Sequence, residues 1–295
     1  MAAIKPTNDG IVFKTAGKLD IVLDLYVPEN GKNLPILLWY HGGGLLQGHR
    51  SSLAPHMRNA VKKYNLAVIS ADYRLAPQAT VQEILEDVQD CVEFIRTQLA
   101  SQAGEGVLDT TRLAVSGSSA GGYLALLAGL YVEPKPDVIA PIYPITDPLG
   151  TFFTNPQPPP MGRPSVEREE VAEFLDPKAP QVANNPSDGA RSKMYIRMMH
   201  DANLAELWSV PEGKEADKWR LSRQVYGRRA PPAYVLHGDG DTAVGVEQGD
   251  ELVGAMLGCG IEVVYERPHG RDHFLDVGED YGNDAFYQFL LKHLK

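Results

Sequence analysis

The tightest constraint on how this chain folds is a seven-residue run, Leu34-Pro-Ile-Leu-Leu-Trp-Tyr40, which holds no charged residue and runs straight into His41-Gly-Gly-Gly44. A strand with one wet face alternates apolar and polar residues. A run without alternation, bounded by turn residues, is the mark of a strand covered on both faces. Residues 66–71, 113–115, 138–142 and 233–236 repeat the pattern, and 261–265 is a further strand candidate. Helical spacing occupies the intervals, over 54–64, 81–99, 120–131, 246–257 and 283–294. Strands that alternate with helices predict an α/β fold, a mostly parallel central sheet with helices on both faces. Two strands at the start, over 11–15 and 20–27, flank Ala16-Gly17-Lys18 and predict a hairpin.

The rhythm breaks at 150–229. This stretch opens with the proline-rich loop Asn155-Pro-Gln-Pro-Pro-Pro160, and helical segments follow near 167–174 and 192–207. It predicts a helical cap inserted over one end of the sheet, with 1–149 and 230–295 forming the core. At 295 residues the chain is long enough to bury such a sheet without disulfides. Its two cysteines, Cys91 and Cys259, stand far apart, in no metal-ligand spacing, and are expected to be reduced structural thiols. The net charge of −10 opposes binding to nucleic acid. No secretory h-region and no apolar stretch of membrane-spanning length is evident, so a soluble, cytoplasmic location is expected.

Gly117-Ser118-Ser119-Ala120-Gly121 fits G-x-S-x-G and lies between a strand and an apolar helix. Glycines there allow a sharp turn that lifts the Ser119 hydroxyl clear of the sheet, at a helix N-terminus suited to developing negative charge. His41-Gly-Gly-Gly44, at the end of an earlier strand, offers backbone N–H groups with no intervening side chain. Together with the N–H of Ala120 these would hold an oxyanion. In a serine–acid–histidine chain order the acid lies in Gly238-Asp-Gly-Asp241 and the base in the loop after residue 265. Asp239 competes with Asp241, and His269 with His273. Asp241, closely followed by Val244, and His273, followed by Phe274, are favoured. His41 is read as an orienting or packing residue.

These residues resemble the hormone-sensitive lipase-like carboxylesterases of the α/β-hydrolase superfamily. The likeness rests on His41-Gly-Gly-Gly44, Asp72-Tyr-Arg-Leu-Ala-Pro77, Gly117-Ser-Ser-Ala-Gly-Gly122 and their spacing, supported by the segment 237–244 and His273-Phe274. It implies an α/β-hydrolase fold and a Ser119–Asp241–His273 triad. It also implies Gly43, Gly44 and Ala120 as oxyanion donors, and Asp72 and Arg74 as braces for nearby loops. Leu45 stands where such proteins usually carry an aromatic residue, and Gln78 where glutamate often follows Ala-Pro. The expected activity is hydrolysis of small to medium carboxylic esters or lactones without metal or organic cofactor. Leu45, Met198 and Trp208 are the candidate substrate contacts, the last two on the insertion. An amidase or arylformamidase, an acyltransferase, and a non-catalytic ligand-binding homologue are the alternatives. Sequence leaves oligomeric state open.

Overall fold

A computed structural model describes residues 5–295. Its sheet has eight strands: β1 (Asn8–Ala16), β2 (Leu19–Tyr26), β3 (Leu34–Tyr40), β4 (Ala67–Ala71), β5 (Leu108–Ser118), β6 (Val138–Ile142), β7 (Ala233–Leu236) and β8 (Val263–Glu266). Their order is β1-β2-β4-β3-β5-β6-β7-β8. The β1–β2 hairpin joins antiparallel to β4, and every pairing from β4 to β8 is parallel. The sheet is thus the one that the alternation of strand and helix predicts.

Burial explains why β3 shows no polar alternation. Ile36, Leu38 and Tyr40 enter the larger core on one face, whereas Leu37 and Trp39 enter the smaller core on the other. The two-residue period survives, but both faces are dry. Helices α1 (Pro55–Lys63), α2 (Val81–Thr97), α3 (Ala120–Tyr131), α4 (Met194–Asp201), α5 (Glu247–Gly258) and α6 (Asp284–His293) include those that cover the sheet. Buried residues of α1 and α6 fill the smaller core, and those of α2, α3 and α5 the larger one. Each fully buried aliphatic side chain contributes about 1.5–3 kcal/mol. Helix α2 starts at a capping box: Glu83 N–H donates to Thr80 Oγ1 (3.2 Å), and Thr80 N–H donates to Glu83 Oε2 (2.8 Å).

The stretch 150–229 carries α4 and several short helical turns. Two sequence expectations change here. Residues 167–174 form two 3₁₀ turns, Arg168–Glu170 and Ala172–Phe174, instead of one helix. Glu167, Glu170 and Glu173 fall on one helical stripe and repel, and few apolar residues are available for a buried face. The expected helix over 192–207 is interrupted at Ala202, whose left-handed backbone (φ 54°) closes α4 before a short turn at Leu204–Leu207.

Named polar bonds dock this stretch onto the sheet's loops. Arg191 is buried, and its guanidinium donates to the carbonyls of Leu46 and Ala76 and to Gln78 Oε1, each at 2.8 Å. Trp208 Nε1 donates to Gly44 O (2.7 Å), and Asn185 exchanges two hydrogen bonds with the backbone of Gly48.

Helix α3 packs closely against the end of β3 at Gly121. A Cβ on Gly121 would sit 2.0 Å from Tyr40 O and 2.8 Å from His41 O. Gly121→Ala is therefore expected to destabilise the protein by about 3 kcal/mol or more, because backbone rather than a flexible side chain blocks it. Urea unfolding of the variant beside wild type measures this, and an unchanged midpoint would contradict the packing described.

Candidate active site

Strand β5 ends at Ser118, and α3 begins at Ala120. Ser119 lies between them with φ 59° and ψ −118°. A non-glycine residue in such a conformation costs about 1–3 kcal/mol and persists only when its surroundings enforce it. Here the Ser119 N–H donates to Ile142 O (2.8 Å), and its carbonyl accepts from Gly122 N–H (2.9 Å) and Ile145 N–H (3.3 Å). Gly117 must lack a side chain, since a Cβ there would meet Gly121 O at 2.2 Å.

The acid and base candidates separate into two pairs. His273 Nδ1 lies 2.7 Å from Asp241 Oδ2, and both side chains are buried. Asp241 Oδ1 accepts the N–H groups of Ala243 and Val244 at 2.8 Å each. Burial pushes the Asp241 carboxyl up, but the charge of His273 and the hydrogen bonds of His237 and His273 outweigh it and hold the group well below the usual carboxylate range. Asp241 is therefore ionised, so His273 presents Nδ1–H to it and leaves Nε2 free to accept a proton. Asp239 instead pairs with His269 (3.1 Å) and Arg267 (3.2 Å) at the surface, where the His269 side chain is 98% exposed.

Two supports of this pair were not legible beforehand. His237 is fully buried, with Nε2 3.0 Å from Val244 O and 3.3 Å from Asp241 Oδ2. A carbonyl only accepts, so Nε2 carries the hydrogen and points it at the acid's surroundings. The His273 ring packs on Tyr143 (centroids 4.3 Å apart), whose hydroxyl donates to the buried Asp276 (2.5 Å). Asp276 in turn faces His56 Nε2 at 3.3 Å, and Tyr287 Oη lies 2.7 Å from His56 Nδ1. Position in the chain gives no hint of such a connection; His237, four residues before Asp241, was the one visible clue.

The glycine loop takes backbone conformations that side chains resist: φ is 108° at Gly43 and 68° at Gly44. A Cβ on Gly43 would meet Gln47 O at 2.1 Å, and one on Gly44 would meet the Tyr195 ring at 2.4 Å. Gly43 O accepts from Leu46 and Gln47 N–H groups and closes the turn. Among the described residues, the N–H groups of Gly43, Gly44 and Ala120 have no acceptor. Tyr195 both covers this loop and donates through its hydroxyl to Ala243 O (2.6 Å), so α4 ties the glycine loop to the acid loop.

Ser119 and His273 line one cavity of about 40 Å³, together with Gly43, Gln47, Pro160, Met161, Arg163, Tyr195, Ile196, Ala243 and Phe274. No hydrogen bond joins Ser119 Oγ to His273 among the described residues. Such contacts are often long until substrate is seated. Leu45, Met198 and Trp208, expected at the substrate, do not line this cavity; all three are buried in the larger core, and Trp208 Nε1 donates to Gly44 O. Larger hollows near Tyr131 (about 410 Å³) and Tyr226 (about 620 Å³) contain neither Ser119 nor His273. Among the described residues, no group of three or more His, Cys, Asp or Glu has metal-holding geometry. No described helix is long and apolar enough to cross a membrane.

His41 lies beneath the glycine loop, with Nδ1 2.8 Å from Gly42 O and its ring stacked on Tyr73 (4.3 Å). Burial lowers its pKa from 6.5 to about 4. The unfolded chain then binds the extra proton between these values, so stability is full above pH 6.5 and falls as pH drops toward 4. The loss from this residue is about 3 kcal/mol. Denaturant titrations across this window should show that His41→Asn flattens the acid-side decline by a comparable amount. An identical slope in both proteins would contradict a neutral His41.

Residues 23–156 match the family model described as BD-FAE, an α/β-hydrolase family related to hormone-sensitive lipase-like esterases. An α/β-hydrolase superfamily protein from Enterococcus faecalis superposes with a TM-score of 0.73 at 20% identity, covering 96% of this chain and 97% of that one. Carboxyl esterase 2 of the mycorrhizal fungus Tuber melanosporum superposes with a TM-score of 0.65 at 19% identity, covering 99% and 88%. A non-reducing polyketide synthase of Aspergillus calidoustus is 26% identical over 312 residues, 89% of this chain and 13% of the synthase. The chain thus spans about an eighth of the length of the curated relatives it matches. Its sheet and its structural likeness show that the chain has the α/β-hydrolase fold, and residues 23–156 resemble the BD-FAE family.

Proposed function

We propose that this chain is a serine esterase in which Ser119, His273 and Asp241 form a catalytic triad. One observation carries the reading: Ser119, on a strained turn, shares a cavity with a histidine whose Nδ1–H is engaged by an ionised, buried carboxylate. In that arrangement His273 Nε2 takes the Ser119 proton as Oγ attacks an ester carbonyl. The carbonyl oxygen becomes an oxyanion, received by the N–H groups of Gly43, Gly44 and Ala120. Each donor of this kind is worth about 3 kcal/mol in the transition state. Collapse of the tetrahedral intermediate expels the alcohol, which collects the proton from His273, and leaves an acyl-enzyme. Water, deprotonated by His273, then releases the acid and regenerates Ser119. Asp241 keeps the tautomer and offsets the imidazolium charge without becoming protonated.

Residues 150–229 supply Pro160, Met161, Arg163, Tyr195 and Ile196 to the cavity wall, which supports their role as a cap on a core of 1–149 and 230–295. The narrowness of the cavity favours short acyl groups. The matches to polyketide synthases support a second reading, in which the same acyl-enzyme is loaded from a synthase-bound acyl chain and passed to an alcohol or to water. Product analysis with added alcohols separates transfer from hydrolysis.

Wild type is expected to hydrolyse p-nitrophenyl acetate and butyrate faster than the octanoate. Ser119→Ala should reduce kcat by about 10⁴-fold or more, and Asp241→Asn by about 10³- to 10⁴-fold. Folded Ser119→Ala protein that retains full activity would overturn the nucleophile assignment.

A further inference from the structure

Apart from whatever charge His273 acquires, Arg163 is the one formally charged side chain lining the catalytic cavity among the described residues. Its backbone is held firmly. Pro160 is buried, and Met161 and Gly162 both adopt left-handed conformations (φ 54° and 66°). The Met161 N–H donates to Thr242 Oγ1 at 2.9 Å. Thr242 follows Asp241 directly, and its own N–H and hydroxyl bind Asp272, the neighbour of His273, at 2.8 and 2.9 Å. The turn that presents Arg163 is thus fastened to the loops that carry the acid and the base.

The carboxylates of those loops are already engaged. Asp241 serves His273 and two backbone N–H groups, and Asp272 accepts from Thr242 and from His273 N–H (2.7 Å). Nearby ion pairs on the insertion, Arg168–Asp201, Lys193–Glu170 and Arg197–Asp201, also leave Arg163 without a carboxylate partner among the described residues. Arg163 is exposed, and in a chain of net charge −10 an unpaired cation carried at this cavity by a fastened turn is not a by-product of a basic surface.

We propose that Arg163 makes this cavity selective for esters that carry a carboxylate, which its guanidinium binds at the mouth while Ser119 faces the ester carbonyl. The planar fork of a guanidinium matches a carboxylate with two parallel hydrogen bonds, which a lysine ammonium does not reproduce. The ion pair lies away from the bond that breaks, so it acts on KM more than on kcat. This specificity rests on the serine-esterase reading, and the test separates the two.

Two ester pairs place the charge on either side of the reacting carbonyl. The first is 4-butyryloxybenzoate and its neutral methyl ester. The second is mono-p-nitrophenyl pimelate and p-nitrophenyl heptanoate. In at least one pair, wild type should favour the charged member. Arg163→Gln should reduce that preference by about five- to tenfold through KM, leaving kcat/KM for the neutral ester within about twofold. Arg163→Lys should restore part of the preference, Arg163→Glu should fall below the glutamine variant, and high salt should compress the wild-type ratio. Hydrolysis that depends on Ser119, with charged-to-neutral ratios unaltered by Arg163→Gln in both pairs, would overturn this inference alone. Folded wild type that cleaves none of the four esters would overturn the esterase reading and the inference with it.

Discussion

The glycine loop and the turn at Ser119 touch where one partner of each contact lacks a side chain. A Cβ on Gly42 would lie 2.8 Å from Ser118 O and 3.1 Å from Ser119 Cβ, and one on Gly121 would lie 2.0 Å from Tyr40 O. Helix α3 is thereby pressed against the end of β3, and the glycine loop against the turn at Ser119. Gly43 lines the cavity that holds Ser119, and the N–H groups of Gly43, Gly44 and Ala120 have no acceptor among the described residues. A methyl group at either contact would push the glycine loop and helix α3 away from the turn at Ser119, and because backbone blocks it, no movement of a flexible side chain would relieve the clash. Much of the remaining structure serves to keep these two segments in place.

Polar side chains provide that restraint from below and from above. Asp72 accepts from the Arg50 N–H (2.8 Å), the Arg50 guanidinium (2.7 Å) and Asn184 (2.7 Å). Arg74 binds Asp87 and Glu83 on α2. Asp72 thus ties Arg50, just past the glycine loop, to Asn184 of the insertion, whereas Arg74 anchors its segment to α2. From above, Arg191 is bound by carbonyl and amide oxygens alone, including that of Gln78, where glutamate would have supplied a countercharge. Burying a guanidinium without a carboxylate is costly, and its donors must then be well matched by acceptors. The insertion is thus held by a few specific bonds as well as by its apolar contacts.

Much of the central architecture was legible in the sequence because burial on both faces of a sheet leaves an unmistakable pattern. Apolar runs marked β3, β4 and β6, and helical spacing marked α1, α2, α3, α5 and α6. The structure brings His273 to Asp241 and sends His269 to Asp239, the pairing on which the choice between neighbouring candidates depended. The insertion was less legible. Its helices are short and held by single bonds between distant residues, such as Trp208 to Gly44 across 164 positions, and such bonds leave no period in a sequence. Sequence likewise carries no sign that Leu45, Met198 and Trp208 are buried in the larger core.

By itself the sequence determined the sheet, the strand–turn–helix around Ser119 and the glycine loop, because each depends on neighbouring residues whose spacing and conformational freedom are local properties. Tertiary structure alone decided that His237 and the Tyr143–Asp276 pair stand behind Asp241 and His273, and that Tyr195 and Arg163 line the cavity. These groups meet across long stretches of chain, where side-chain packing and the need to satisfy buried polar atoms, rather than periodicity, select the partners.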